Sequence, residues 1–253
     1  MKAIVCRRYG PPDWLTLADV PRPPRPIDSD VLIEVHAVAI AYPDLLSIHN
    51  LHRTERALPF STGAEVAGVV RAVGPLVHDL DVGDMVLALP GSGGLVEEIV
   101  TPAANCVRLA TGANLETAVG ALYTLGTAHH ALRDRGDLQA GEVLLVLGAA
   151  GAVGLAAVEL GASIGATVIA AASSDTKLER CRQHGADFTV NYVKDDLRTR
   201  VRSIGTDTTD VVFDPVGGAM SERALRTLAP NGRFLVVGFA SGESRPFRST
   251  SRC

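Results

Sequence analysis

The sequence predicts a two-domain α/β protein, in which a β-barrel or sandwich is followed by a doubly wound parallel sheet. Three patterns predict this fold. Short apolar strands separated by turns fill residues 2–100, a helical pattern begins near residue 115, and strands alternate with helices from residue 143 onward. We therefore expect one domain over residues 1–118, a second over 119–243, and an irregular tail over 244–253.

Composition excludes several functional classes. The chain has 253 residues, of which 47% are hydrophobic and 21% are charged, and its net charge is −4. This composition is typical of a soluble globular protein and gives no electrostatic argument for binding nucleic acid. We find no signal peptide and no apolar run of about 18 residues, so no membrane partner is expected. The four cysteines form no C-x-x-C pair, which argues against disulfides and indicates a reducing cytoplasm.

The first domain is predicted to be almost entirely β-structure. Residues 31–39 alternate apolar and polar side chains, which indicates a strand with one buried face. The proline-rich stretch 21–28 must be a link, because proline is excluded from helix interiors and central strands. The predicted strands cover residues 2–6, 31–39, 64–73, 85–89 and 94–100.

The second domain is predicted to begin with a helix of about five turns over residues 115–134. Its histidines, His129 and His130, point about 100° apart on such a helix, so we expect one in the core and one in solvent. Beyond it, strands separated by helices predict a parallel sheet with right-handed connections. The strands are predicted at 143–148, 167–172, 188–192, 210–214 and 233–239, and the helices at 154–165, 175–185, 195–205 and 220–230.

The segment VLLVLGAAGAVG, residues 143–154, ends a strand and opens a helix, as a dinucleotide-binding turn requires. Gly151 and Gly154 take the second and third glycine positions of G-x-G-x-x-G, and Ala149 takes the first. Because Gly151 has no side chain, the backbone could approach a pyrophosphate closely. Free N–H groups at the start of the helix would then bind the anion. The alternative is an ordinary strand–turn–helix unit with small packing residues. The predicted binding residues are Ala150, Gly151, Ala152, Val153 and Gly154.

The end of the next strand favours NADPH over NADH. NAD sites usually place an acidic residue there, whereas this strand ends in Ser173 and Ser174, with Lys177 one turn later. Hydroxyls and a cation suit a 2′-phosphate. In the alternative interpretation the serines cap the helix and Lys177 is a surface charge. Asp175 fits the helix N-terminus, and Tyr192 would either close the adenosine phosphate pocket or pack at the sheet edge.

Together these motifs resemble the quinone oxidoreductase, or zeta-crystallin-like, family of the medium-chain dehydrogenase/reductase superfamily. The resemblance covers residues 1 to about 243 and implies a GroES-like catalytic domain and a Rossmann domain, with hydride transfer from NADPH to a quinone or enone. The segments that carry it are AYPDL (41–45), GAEVAGVVRAVG (63–74), VGDMVLAL (82–89), LGTAHHAL (125–132), LGAAGAVGLAAVELG (147–161), VNY (190–192) and 210–242.

The resemblance also implies that no metal is needed. Zinc-dependent relatives carry a Cys where this chain has Ala41 and a Gly-His-Glu where it has Gly63, Ala64 and Glu65. A quinone or an enone can accept hydride without a Lewis acid, because the developing charge is spread over its π-system.

The family's site residues carry over only in part. Ala41 replaces an Asn, which removes a hydrogen-bond donor, and Tyr42 can supply a hydroxyl instead. Asp44 is retained and is interpreted as a structural hydrogen-bonding residue. His52 is a candidate pocket residue, and Thr127 matches a threonine beside the nicotinamide. In the family, two loops contact the nicotinamide half of the coenzyme. The matching residues of this chain are Val216 and Gly217 in one loop and Phe239 and Ala240 in the other.

Family members continue beyond the strand RFLVVGF, so the resemblance implies a Rossmann sheet that lacks its last strand. The family homodimer pairs through that strand, and we expect the shortened chain to lose this pairing, stability and activity. We interpret residues 244–253 as the product of a shifted reading frame. Two alternatives to quinone reduction stay open: an enoyl or acrylyl-thioester reductase, and a non-catalytic NADPH-binding protein or inactive fragment.

Overall fold

The computed structural model describes residues 1–205 and 207–243. The chain forms two compact units, the first spanning Met1–Tyr123 and the second beginning at Thr124. This division falls a few residues after the predicted domain boundary. The predicted frame-shifted tail, residues 244–253, lies outside the described residues.

The first unit is an antiparallel β-structure, as the sequence predicts. A sheet of order β6-β3-β4-β5-β7 forms its main body, and β1 and β2 make a separate antiparallel pair. Alternate residues of β3, Val31 and Ile33, are fully buried against Val66 and Val86. The elements are β1 (Lys2–Val5), β2 (Thr16–Asp19), β3 (Asp30–Ala39), α1 (Tyr42–Ile48), β4 (Glu65–Val73), β5 (Met85–Ala88), β6 (Glu98–Pro102), β7 (Cys106–Arg108) and α2 (Leu115–Ala118).

Two details of this unit differ from the prediction. Strands β2 and β7 were not predicted, because each is only three or four residues long and too short to show an alternating pattern. The strand predicted over residues 94–100 begins later, at Glu98, because the residues before it form a turn, with an isolated bridge from Val96 to Ala3.

The second unit contains a five-stranded parallel sheet of order β10-β9-β8-β11-β12. Neighbouring residues of β8 point to opposite faces: Leu144 packs in one buried cluster and Leu145 in the other. Both faces are therefore covered, which confirms the doubly wound fold. The boundary at Thr124 falls within the first turn of α3 (Ala121–His129). The elements that follow are a π-helical segment (His130–Arg135), β8 (Val143–Val146), α4 (Ala152–Ile164), β9 (Thr167–Ala172), α5 (Asp175–Gln183), β10 (Phe188–Asn191), α6 (Leu197–Ser203), β11 (Thr209–Asp214), α7 (Ala219–Leu225) and β12 (Leu228–Val236).

The prediction of one unbroken helix over residues 115–134 is wrong. The helix breaks at Val119 and Gly120, where Gly120 adopts φ 100°, and its last part is π-helical. The expectation of one buried histidine is also wrong, since His129 and His130 are both exposed and the change to π-helical geometry alters the angular spacing.

The last helix is shorter than predicted. The predicted helix over 220–230 ends at Leu225, and residues from Leu228 onward join β12. Strand β12 therefore begins five residues before Arg233, where the predicted strand starts. Between Leu228 and Arg233 its register with β11 shifts, and Asn231 in this interval has φ 65°.

Two glycines let α4 lie close to the sheet. A Cβ atom on Gly154 would lie 2.5 Å from the carbonyl oxygen of Gly148, and one on Gly161 would lie 2.6 Å from Cδ2 of Leu144. These glycines are seven residues apart, so they lie on the same side of the helix. The N-terminus of α4 is thereby held directly against the turn that follows β8.

Candidate functional site

The turn after β8 is fixed by backbone hydrogen bonds to both neighbouring strands. The Leu147 N–H donates to the Phe213 carbonyl at 3.0 Å, and the Ala149 N–H donates to the Ala171 carbonyl at 3.1 Å. The Gly151 N–H then closes the turn on the Gly148 carbonyl at 2.9 Å. Gly148 adopts φ 56°, a conformation that glycine takes without strain. The central strand therefore ends in a tight, well-anchored turn.

Helix α4 begins directly after this turn, with Gly151 as its N-cap residue. Gly151 and Ala152 are exposed, whereas Ala150 and Val153 are half-buried and Gly154 is buried. The first N–H groups of a helix have no acceptor within the helix, and they carry the positive end of its dipole. The N-cap residue, Gly151, has no side chain with which to cap this end. The five residues predicted to bind a dinucleotide thus lie together at the start of α4, where Gly151 and Ala152 are exposed.

At the end of β9, Ser173, Ser174 and Lys177 also come together. The Lys177 ammonium donates to the Ser173 hydroxyl at 3.1 Å, and the Ser174 hydroxyl accepts the Lys177 N–H at 3.4 Å. Ser174 is therefore the N-cap of α5, as the alternative interpretation allowed. The hydrogen bond to Ser173 also holds the Lys177 ammonium near the end of β9. A lysine beside a hydroxyl can bind a phosphate group.

Asp175, which follows Ser174 along the chain, has two side-chain partners that the sequence did not identify. Asp175 accepts a hydrogen bond from Asn191 Nδ2 at 2.7 Å and one from Lys194 Nζ at 2.6 Å. The Lys194 ammonium, followed by the Asn191 amide, lowers the pKa of Asp175. Tyr192 follows Asn191, donates its N–H to the Ala172 carbonyl at 3.2 Å, and is half-buried against the face of the sheet that contains Val190.

The loops after β11 and β12 lie against each other. Asp214, at the end of β11, accepts N–H groups from Val216 at 2.8 Å and from Gly217 at 3.0 Å. The Ala240 N–H donates to the Pro215 carbonyl at 3.0 Å, which ties the second loop to the first. A Cβ atom on Gly217 would lie 2.8 Å from the ring of Phe239. The four predicted residues of these loops therefore form one cluster, held by the buried Asp214 carboxylate.

In the first unit, Asp44 is a positioning residue. Its side chain is 6% exposed and accepts hydrogen bonds from the Ala41 N–H at 2.9 Å and the Gly63 N–H at 2.8 Å. It therefore joins the start of α1 to the segment before β4, in agreement with its structural interpretation. Tyr42, on the first turn of α1, is 47% exposed.

The two remaining predicted residues lie in different units. His52 is half-buried in the loop after α1, and its Nδ1 accepts the Thr54 N–H at 3.1 Å. Thr127 is half-buried on α3, within the second unit. The chemical roles predicted for both stay predictions.

Glu65 is a second buried carboxylate that sequence reasoning did not assign. It is 1% exposed, and it accepts N–H groups from Gly120 at 2.8 Å, Leu122 at 3.0 Å and Tyr123 at 2.9 Å. These amides lie at the break after α2 and at the start of α3. Glu65 lies in a predicted strand, and its partners are more than 50 residues away in the sequence, so no local signal indicated this contact.

Within residues 1–205 and 207–243, the part of the chain that the structure describes, neither a metal site nor a membrane span is found. No group of three His, Cys, Asp or Glu side chains is arranged to hold a metal ion. No helix in these ranges combines the length and apolar character needed to cross a membrane.

Comparison with known proteins now identifies the family. Residues 27–111 match the alcohol dehydrogenase GroES-like domain, and residues 152–251 match the zinc-binding dehydrogenase domain. Quinone oxidoreductase-like protein 2 of Bos taurus is 38% identical over 244 residues, which cover 95% of this chain and 69% of that protein. The chain belongs to the quinone oxidoreductase family. The chain spans about two thirds of the length of this relative and of its Nematostella vectensis homolog.

Solved structures of this medium-chain dehydrogenase/reductase superfamily have the same fold. The Escherichia coli quinone oxidoreductase, solved in complex with NADPH, is 27% identical with a TM-score of 0.89, over 98% of this chain and 76% of that one. The CurK enoyl reductase is 29% identical with a TM-score of 0.85, over 92% and 72%. The chain is thus a medium-chain oxidoreductase with a GroES-like domain and a Rossmann domain, from a family that binds NAD(P).

Proposed function

We propose that this protein is a zinc-independent oxidoreductase that transfers hydride from NADPH to a quinone or a similar electron-poor acceptor. The observation that carries the proposal is the exposed N-terminus of α4, set at the carboxyl end of the central strand by the Gly148–Gly151 turn. Ligands of open α/β sheets bind at the carboxyl ends of the strands.

The residues of the second unit fit each part of the dinucleotide. The first N–H groups of α4 would bind the pyrophosphate, because Gly151 carries no side chain to obstruct it. Ser173 and Lys177 would supply a hydroxyl and a cation for the 2′-phosphate, and Tyr192, whose N–H donates to the Ala172 carbonyl, would close the pocket. The Val216–Gly217 and Phe239–Ala240 loops would hold the nicotinamide half. When bound, NADPH supplies the hydride.

The choice of acceptor follows from the absence of ligating atoms on Ala41 and Ala64. These alanines stand at the positions where zinc-dependent relatives carry ligands, and their methyl side chains cannot polarise a carbonyl. A quinone accepts hydride without such help, provided that hydrogen-bond donors stabilise the developing charge. Tyr42 offers an exposed hydroxyl, and His52 and Thr127 are the other candidate donors. Asp44 would act only by positioning α1.

Reduction of an activated C=C bond is the second candidate. It is favoured by the similarity to the CurK enoyl reductase, which matches 92% of the chain. An α,β-unsaturated thioester, like a quinone, delocalises the charge that hydride transfer creates. A third possibility, NADPH binding without turnover, is consistent with Ala41, which removes a donor expected in the family's substrate cleft.

Two measurements test this proposal. The first titrates the purified chain with NADPH and with NADH by fluorescence, and we expect tighter binding of NADPH. The second follows NADPH oxidation with a panel of quinones and with an enoyl thioester, with EDTA present throughout. Turnover of quinones supports the proposal, turnover of the thioester alone favours the second candidate, and binding without turnover favours the third. Failure to bind either coenzyme refutes all three.

Lys177→Met provides a sharper test of the coenzyme preference. It should weaken NADPH binding and leave NADH binding unchanged, because only NADPH carries the 2′-phosphate. Lys2→Met is the matched control, since Lys2 is an exposed lysine of the first unit that pairs with Asp19 at 2.8 Å. An equal loss of both coenzymes in the Lys177 variant would contradict the proposed contact.

A further inference from the structure

Asp175 places a carboxylate next in sequence to the residues that are proposed to bind the 2′-phosphate of NADPH. Asp175 is the first residue of α5, directly after Ser173 and Ser174 and two residues before Lys177. In Rossmann domains that bind NAD, a carboxylate at the end of the second strand accepts hydrogen bonds from the ribose. A 2′-phosphate is repelled by such a group. The sequence of this turn therefore combines two opposing signals, a phosphate-binding pair and an acid.

The structure resolves this conflict through residues from the next strand. Asn191 is the last residue of β10, and its Nδ2 donates to Oδ1 of Asp175 at 2.7 Å. Lys194, in the turn that follows, donates from Nζ to Oδ2 of Asp175 at 2.6 Å. Each carboxylate oxygen thus already has a donor from the protein, and the ammonium neutralises the charge. Lys194 lowers the pKa of Asp175, and Asp175 raises the pKa of Lys194.

We propose that Lys194 is a specificity-determining residue, which makes this site selective for coenzymes with a 2′-phosphate by neutralising Asp175. The inference rests on the proposed NADPH-dependent function and deepens it. Lys177 would bind the phosphate directly, whereas Lys194 acts through Asp175. Because the Lys194 ammonium occupies one lone pair of Oδ2 and offsets the charge, Asp175 would also be a weaker acceptor for the 2′-hydroxyl of NADH.

The test uses the nucleotide halves of the coenzymes, so it depends on no catalytic activity. Binding of 2′,5′-ADP and of 5′-AMP is measured by calorimetry at low ionic strength, since the two ligands differ only in the 2′-phosphate. Lys194→Met should weaken 2′,5′-ADP binding about three- to tenfold, because an exposed carboxylate then faces the phosphate. Binding of 5′-AMP should stay the same or become tighter. Lys194→Arg should retain the preference of the parent protein.

A change at Asp175 should have the opposite effect. Asp175→Asn removes the negative charge and leaves Lys194 in place, so 2′,5′-ADP should bind as tightly as to the parent protein or more tightly. The double variant, Lys194→Met with Asp175→Asn, should regain the parent affinity to within about twofold, since neither charge remains. Lys2→Met removes a similarly exposed lysine from a pair with aspartate in the first unit and should change neither ligand.

Specific results would overturn the inference. If Lys194 only braces the turn, Asp175→Asn will weaken 2′,5′-ADP binding as Lys194→Met does, and the double variant will show no rescue. An unchanged ratio of the two affinities in Lys194→Met would also overturn it, while the proposed NADPH preference would stand. If the parent protein binds 5′-AMP as tightly as 2′,5′-ADP, the NADPH preference itself fails, and this inference fails with it.

Discussion

Replacing Gly154 by alanine should destabilise the second unit, because the added methyl group has no space. Its Cβ would lie 2.5 Å from the Gly148 carbonyl oxygen and 2.8 Å from Cα of Ala149. The first distance is about 1 Å shorter than an optimal non-bonded contact. Both neighbours are backbone atoms of a turn that is hydrogen-bonded to two strands, so neither can move aside easily. Overpacking of this kind lowers the free energy of unfolding by about 1–3 kcal/mol.

Gly151→Ala is the matched control for this prediction. Gly151 is exposed, has φ −75°, and its added Cβ would meet only the Gly148 oxygen, at 3.3 Å. We expect this variant to lose at most about 1 kcal/mol, from poorer helix capping. It should nevertheless weaken NADPH binding about tenfold, because its methyl group obstructs the approach of a pyrophosphate to the backbone.

Thermal unfolding followed by circular dichroism, together with coenzyme titration, separates the two effects. For a chain of this size, 1–3 kcal/mol corresponds to a fall of about 3–10 °C in Tm for Gly154→Ala. The argument fails if Gly154→Ala melts at the parent temperature, or if Gly151→Ala is the less stable of the two. Normal coenzyme binding by Gly151→Ala would refute the proposed pyrophosphate contact but not the packing argument for Gly154.

Three further changes test other buried or partly buried contacts. Arg233→Met removes hydrogen bonds of 2.7 and 2.8 Å to the Glu142 carboxylate and should lower the unfolding free energy by about 1–2 kcal/mol in urea titrations. Because Arg233 lowers the pKa of Glu142 from 4.5, this stabilisation is present above that pH and is lost as the pH falls through the lowered pKa. Asp214→Asn should destabilise the protein by about 1–3 kcal/mol and speed amide exchange at Gly217, measured by NMR. Glu65→Gln should lower Tm, measured by calorimetry, because a neutral amide is a weaker acceptor for the N–H groups of Gly120, Leu122 and Tyr123.

Each of these expectations can fail separately. A difference between Arg233→Met and the parent protein that stays constant from pH 7 to below the lowered pKa of Glu142 would contradict the assigned ion pair. Arg182→Gln, which removes an exposed i,i+3 pair with Glu179, is its control and should change stability by less than about 0.5 kcal/mol. Unchanged exchange at Gly217 in Asp214→Asn, or an unchanged Tm in Glu65→Gln, would mean that other contacts hold those segments.

The parallel sheet was predictable because its central strands are short apolar runs bounded by turn residues. In β8 and β9 nearly every residue is buried, so the pattern is continuous and easy to recognise. The turn at Gly148–Gly151 was predictable for the same reason, since its glycines directly follow the run. The short strands β2 and β7 were not predictable, because so few residues show no period.

The features that sequence reasoning missed depend on contacts between distant residues. Helical periodicity continues through Val119 and Gly120, yet the helix breaks there, where the Glu65 carboxylate binds the amide of Gly120 and two amides at the start of α3. Likewise, nothing in the local sequence connects Lys194 with Asp175, which is 19 residues earlier. Parallel strands bring the ends of β9 and β10 together, and only the structure reveals which side chains then meet.

The close packing of α4 has a consequence for the energetics of recognition. With Gly154 against the turn and Gly161 against Leu144, the helix has no freedom to tilt or slide without disturbing the central strand. If an anion binds there as proposed, the N-terminal dipole of α4 is already directed at it, and little of the binding free energy is spent on ordering the helix. In this protein, preorganisation comes from two missing methyl groups.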